Sequence, residues 1–225
     1  MKHLVLTLMV TLISAPSVFA TVVLDQAFDA RATGVDGSTS IQAGQIVYQT
    51  FTVGVTGTLD SIDLQVLQSS QGVPAGDLVV DILGTTGGTP DLSNVLGSGS
   101  VVGTTLPPPS FDDGQFTNID LSAAGIDVTV GEVLAFRVRP ELAGDFFSLV
   151  DRDGLPPDYA GGSLYITRGI ADPPNFAIDS DAGFRTYVTV IPEPTSAALL
   201  GFGGLLVARR RPHRSSDSSS RKTLL

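Results

Sequence analysis

The chain has 225 residues, a formal net charge of −10, and neither cysteine nor tryptophan. Without cysteine there is no disulfide framework, no thiol nucleophile and no thiolate metal site. The only histidines are His3 and His213, close to the two ends. The long central segment therefore cannot build Ser-His-Asp or Cys-His catalysis, or a histidine zinc site.

The chain opens MKHLVLTLMVTLISAPSVFA. Lys2, the apolar stretch from Leu4 to Ile13 and the small residues leading to Ala20 have the three-part layout of a secretory signal peptide. Residues 1–20 are assigned to it, with cleavage expected after Ala20. From Thr21 to Thr195 there are six arginines, no lysine and 22 acidic residues, a net charge of −16. Such a surface repels nucleic acid and anionic membrane, and suits a solvated, exported domain.

Residues 21–190 read as that domain. VVLDQAF (22–28) begins it, and QIVYQTFTV (45–53) follows a Gly-rich stretch. SIDLQV (61–66) puts Ile62, Leu64 and Val66 on one face and Asp63 and Gln65 on the other, the period of two of a half-buried strand. DLVVDIL (77–83) repeats the pattern and QFTNIDL (115–121) follows it more loosely. VLAFRVR (133–139) turns Leu134, Phe136 and Val138 inward and Arg137 and Arg139 outward. FRTYVTV (184–190) closes the domain with Phe184, Thr186, Val188 and Val190 on one side. Gly54 and Gly57, Gly72-Val73-Pro74, Gly87-Gly88, Pro107 to Pro109, Pro156-Pro157 and Pro173-Pro174 punctuate these runs. No helical period is sustained between the two ends. Short strands at regular spacing predict an all-β, antiparallel sandwich, jelly-roll-like, with an immunoglobulin-like sandwich as the alternative.

Three acidic loops stand out, at 111–114, at 151–154 with Asp158 beyond, and at 179–183. Asp151, Asp153 and Asp158 are the calcium candidates, because carboxylates two apart beside a glycine turn supply the oxygens calcium takes. No loop completes the twelve-residue EF-hand pattern, and Asp and Gly are turn formers in their own right. No other cofactor is expected. Tyr48, Tyr159, Tyr165 and Tyr187 offer either sugar-stacking faces or core packing. A carboxylate-pair glycosidase survives as chemistry, although the segment 21–190 holds only Glu132 and Glu141 as glutamates and no tryptophan platform.

The tail reads VIPEPTSAALLGFGGLLVARRRPHR from Val190 to Arg214. From Thr195 to Ala208 it carries no charge for 14 residues, and extended back across Pro192-Glu193-Pro194 to Ile191 it is 18 residues long, about 27 Å as a helix, the short end of a membrane span. Gly201, Gly203 and Gly204 soften that helix, so a short hydrophobic helix that inserts transiently is expected. Arg209, Arg210 and Arg211 follow at once and hold their side in the cytoplasm, leaving the main domain outside. Residues 191–211 form this unit. The Ser-rich segment 212–225 reads as a disordered polar tail.

Pro192-Glu193-Pro194, the apolar run and Arg209 to Arg211 together resemble the PEP-CTERM sorting signal of Gram-negative bacteria, over about the last 35 residues. The resemblance implies recognition by an exosortase, a membrane-embedded cysteine transpeptidase-like enzyme that processes its substrate near Pro-Glu-Pro. It implies a destination at the cell surface or in an exopolysaccharide matrix. The 14 residues after Arg211 extend past the family's usual end. The central segment also loosely resembles exported bacterial β-sandwich domains, through FTV-x-x-x-G-x-L-x-S (51–61), P-x-G-x-L-x-V-x-I (74–82) and V-x-x-G-x-x-L-A-F-x-V (128–138). That resemblance implies a jelly-roll-like fold and no reaction. The expectation is a non-enzymatic surface or matrix protein; the alternatives are a carbohydrate- or calcium-dependent binding module and, behind it, an acid-pair glycosidase.

Overall fold

A computed structural model describes residues 19–31, 37–109, 115–153, 159–168 and 176–190. The signal segment up to residue 18, the acidic loop 111–114, Asp158 and everything from Ile191 onward lie outside the described residues. Ala20–Val190 forms one compact unit.

The strands in chain order are β1 (Thr21–Phe28), β2 (Gly37–Ile41), β3 (Gln45–Thr52), β4 (Gly57–Leu64) and β5 (Val66–Gln68). There follow β6 (Asp77–Thr86), β7 (Thr89–Val102), β8 (Thr117–Asp120), β9 (Ile126–Val128) and β10 (Val133–Pro140). The last five are β11 (Phe147–Asp153), β12 (Leu164–Arg168), β13 (Phe176–Ile178), β14 (Ser180–Ala182) and β15 (Phe184–Val190). Two 3-10 turns, Gly103–Thr105 and Ser122–Ala124, are the only helical pieces among the described residues. The fold is all-β, and the strands pair antiparallel in three sheets. The first sheet runs β1-β15-β4-β8, with β9 also on β4. The second runs β13-β12-β3-β10-β6-β7, and the third β14-β11-β2, with β5 also on β11.

The seven runs with a period of two fall on β1, β3, β4, β6, β8, β10 and β15. Their inward residues feed one continuous core, with Ile62, Leu64 and Val188 from the first sheet and Val80, Leu134 and Val138 from the second. Phe184 sits at its aromatic centre. Its ring meets Tyr159 edge-on at 5.0 Å and Phe136 at 5.4 Å, a preferred geometry for aromatic quadrupoles. Gly87-Gly88, read as a breaker, is the two-residue turn of the β6–β7 hairpin. Both residues have positive φ (61° and 82°), which glycine adopts without a Cβ clash.

Two chain segments change sheets at one point. β4 and β15 pair in the first sheet up to Leu64 and Phe184. One residue further on, at Gln65 and Gly183, both leave it and continue as β5 and β14 along the same side of β11. Three backbone bonds close the corner: Gln65 N–H to Gly183 O (3.0 Å), Gly183 N–H to Val150 O (3.0 Å) and Val150 N–H to Gln65 O (2.8 Å). Bends of this kind let a small sheet wrap one core without a buried unpaired edge. They also correct the simple alternation expected for SIDLQV. Gln65, assigned to the solvent face, is 1% exposed, because the strand turns there.

The outer face of the second sheet carries one charge cluster. Asp81 on β6 lies opposite Ser98 on β7 and Arg137 on β10, so the register alone brings the three together. Its Oδ2 accepts from Arg137 (Nη2, 2.8 Å) and Arg139 (Nε, 2.8 Å), and its Oδ1 from Ser98 Oγ (2.6 Å). Burial by itself raises the Asp81 pKa, but the bonds from Arg139, Ser98 and Arg137 and the Arg137 charge outweigh it. The carboxyl is held below the usual range. A depressed folded pKa gives stability that is present above the unfolded value of about 3.9 and is lost as the pH falls through the folded value. Asp81→Asn is expected to cost about 1–3 kcal/mol at pH 7 and much less near pH 2, measured by urea unfolding at both.

Candidate functional site

The acidic segments 151–153 and 180–182, separate in sequence, are joined by the β11–β14 register: Asp151 opposite Ala182, Arg152 opposite Asp181 and Asp153 opposite Ser180. Asp151 is 2% exposed, and its Oδ2 accepts from Thr39 Oγ1 (2.9 Å) and Ser180 Oγ (3.0 Å). Its carboxylate thus fastens β2 and β14 to β11. Of the other two calcium candidates, Asp158 and the Asp153 side chain lie outside the described residues. Among the described residues no three His, Cys, Asp or Glu side chains come together as a metal group.

Asp181 serves a second buried network. Gln49 lies in the inward register of β3, between Val47 and Phe51, and is fully buried. A polar side chain there must find partners. Its Nε2 donates to Asp181 Oδ1 (3.0 Å) and its Oε1 accepts from Ala182 N–H (3.0 Å). The amide thereby docks β14 onto the second sheet. Asp181 Oδ2 accepts from Tyr159 N–H (3.1 Å), and the Tyr159 hydroxyl donates to Gln26 Oε1 (3.1 Å).

Burial, with the charges of Asp25 and Asp181 adding to it and a bond to the Thr52 backbone opposing it, pushes the Tyr159 phenol up to about 12. A raised folded pKa means stability that is whole below the ordinary value of 10 and lost as the pH climbs through about 12. Absorbance at the phenolate band is expected to show Tyr159 ionising only with the alkaline unfolding transition. Tyr48 and Tyr159, offered as sugar platforms, are both buried, whereas Tyr165 and Tyr187 are half-buried. The Tyr187 hydroxyl is engaged by Asp63 Oδ2 (2.9 Å). For Tyr48 and Tyr159 the ring faces are spent on packing, because rings this large find most of their stabilisation inside.

A recess of about 220 Å³ lies on the outer side of the third sheet. Ser38 and Ser40 line it from β2, Ser148 from β11, and Leu67 of β5 lies beneath. Ser148 stands opposite both Ser40 and Leu67 in register. Arg31 forms one wall and Pro109 another, and the turn carrying Ser69, Ser70 and Gln71 forms the rim.

Both walls are positioned by glutamines of the sheet. Gln65 Oε1 accepts from Ala30 N–H (3.0 Å) and its Nε2 donates to Asp29 Oδ1 (2.8 Å), fixing the turn that ends at Arg31. Asp29 Oδ1 also accepts from Arg31 N–H (3.1 Å). Gln68 donates from Nε2 to Leu106 O (2.8 Å) and from its backbone to Pro107 O (2.8 Å), holding the chain that leads to Pro109. None of the described residues that line it is acidic. A smaller recess of about 140 Å³ adjoins it at Gln71. There Asp145 accepts from Ala75 N–H (2.9 Å) and Gly76 N–H (2.7 Å), which ties two loops together.

Sequence reasoning missed Gln65, Asp145 and the serines. Gln49 alone left a signal, as a polar residue in the inward register of an apolar strand. The serines are scattered between positions 38 and 148, and only strand pairing unites them. Compared with known proteins, the chain matches no family model, and no curated protein matches it.

Proposed function

We propose that the chain is an exported, non-enzymatic protein of the cell surface or exopolysaccharide matrix, sorted by its C-terminal signal. The observation that carries the proposal is the order Pro192-Glu193-Pro194, apolar run, Arg209-Arg210-Arg211, set directly after the last strand. The strand boundaries support it. β1 begins at Thr21, one residue past the expected cleavage site, and pairs with β15, which ends at Val190. Trimming at Ala20 and near Pro192 leaves every described strand whole. We read the three antiparallel sheets around one core as a jelly-roll-like sandwich.

The deeply buried carboxylates of Asp81, Asp145, Asp151 and Asp181 each hold strands or loops together, which is the work of a scaffold. Its partner is an exosortase-type processing enzyme, met while the apolar segment is transiently in the membrane. The strongly acidic surface disfavours nucleic acid.

Peptide mapping of the native protein, recovered separately from membrane, surface and medium, tests the proposal. The expected mature form starts near Thr21, ends near Pro192 to Pro194 and is found away from the inner membrane. A chain that keeps Ala197 to Arg211 and stays in the membrane fraction overturns the sorting proposal and makes the tail an anchor.

A further inference from the structure

We propose that the serine-lined recess over β2, β11 and β5 binds one ring of a neutral sugar. The inference stands on the recess and is independent of the sorting signal. The lining combines hydroxyls that both donate and accept, one arginine that only donates, and an apolar floor. A sugar ring presents the complement: hydroxyls that donate and accept around its edge, and a C–H face able to lie on Leu67 and Pro109. Among the described residues, no protein group bonds the hydroxyls of Ser38, Ser40, Ser70 or Ser148, so their bonding capacity faces the recess and its solvent.

Size restricts the occupant. About 220 Å³ is below the roughly 300–1,000 Å³ of pockets for drug-sized ligands, and leaves room for one ring. Charge restricts it further. A small anion would find Arg31, but it would approach through the field of a segment with 22 acids and six arginines. A neutral polyol feels no such field. The rim turn and both walls are fixed by backbone and glutamine bonds, so the recess is formed before anything enters it. With no aromatic ring among the described residues of the lining, affinity for a single ring is low, with Kd on the order of 1 mM.

The test uses the full chain in a detergent that carries no sugar headgroup. Glucose, galactose, mannose and N-acetylglucosamine are titrated singly by saturation-transfer NMR, and inorganic phosphate is added as the competing anion. Ser40→Val with Ser148→Val replaces two facing hydroxyls by β-branched side chains that suit strands. Ser70→Val changes the exposed rim turn alone and leaves the sheet untouched.

The expected result is saturable binding of at least one sugar, unaffected by phosphate. The double variant weakens it about tenfold and Ser70→Val several-fold, as loss of one or two hydrogen bonds requires. Absence of binding by all four sugars up to about 50 mM overturns the proposal. So does binding that phosphate displaces, or binding that Ser70→Val and the double variant both leave unchanged. Unfolding of the double variant would leave Ser70→Val to decide.

Discussion

Gly183→Ala is expected to lower the stability of the folded chain by about 3 kcal/mol or more. A Cβ on residue 183 would stand 1.8 Å from Gln65 Oε1 and 2.6 Å from its Cδ. A flexible surface amide would swing aside at little cost. Gln65 cannot, being 1% exposed and bonded at both ends of its amide, to Ala30 N–H and to Asp29 Oδ1. Displacing it overpacks the corner, at about 1–3 kcal/mol, and breaks bonds worth about 1 kcal/mol each.

The clash is with a side chain, so it can be relieved. Gln65→Ala alone costs about 2 kcal/mol, from the lost bonds and the space left behind. It also removes the atoms within 2.6 Å of the new methyl. The double variant is expected to be more stable than the sum of the two changes by about 1–3 kcal/mol. Urea midpoints of the four proteins give this coupling directly. Additive losses would show that Gly183 and Gln65 do not meet as described. Because Gln65 also holds the turn that ends at Arg31, Gln65→Ala should loosen one wall of the serine recess as well as the corner.

The same corner marks the limit of what periodicity reveals. Where one face of a strand stays buried along its length, alternation shows it: Leu134, Phe136 and Val138 point inward on β10, as their spacing predicts. At Gln65 the strand leaves one sheet for another. Two successive residues then face interiors, and a polar residue in an outward register becomes one of the most buried in the chain.

β7 was illegible for a different reason. It is an edge strand whose second half reads LGSGSVV, where glycine and serine look like linker. β11 carries one Asp-x-Asp and β14 takes up the end of another, at 179–181, which read as turn chemistry until pairing shows Asp151 and Asp181 holding hydroxyl and amide donors. The serine recess is invisible for the same reason, because no local pattern encodes a cross-strand pair such as Ser40 and Ser148. The two ends are the reverse case. The signals proposed for them are linear (charge, apolar run, motif), so reading them calls on no fold.

Gly162→Ala is the contrasting substitution, and no partner change should rescue it. Here the added Cβ would lie 1.8 Å from the backbone oxygen of Thr50, 2.5 Å from its carbonyl carbon and 3.0 Å from its Oγ1. Thr50 is 3% exposed and sits within β3, between β12 and β10. Its N–H donates to Ser163 O (3.0 Å), its Oγ1 accepts from Ser163 N–H (2.8 Å), and its carbonyl accepts from Gln49 Nε2 (3.1 Å). The carbonyl cannot retreat without disturbing the Gln49 amide that docks β14. The way out is for the chain before β12 to lift off β3. That exposes Thr52 Oγ1 and Gly161 O, now bonded at 2.8 Å, together with the Ser163 pair.

A cost of at least about 3 kcal/mol is expected, a fall of roughly 6–12 °C in Tm for a domain of this size. Thr50→Ala removes only the 3.0 Å contact, so in combination with Gly162→Ala it should recover little. Hydrogen exchange separates the two glycines further. Gly162→Ala should release the Thr50 and Ser163 amides first, whereas Gly183→Ala should release Val150 and Gln65. A Gly162→Ala chain that melts within about 2 °C of the parent would mean that residues 161–163 do not lie against β3.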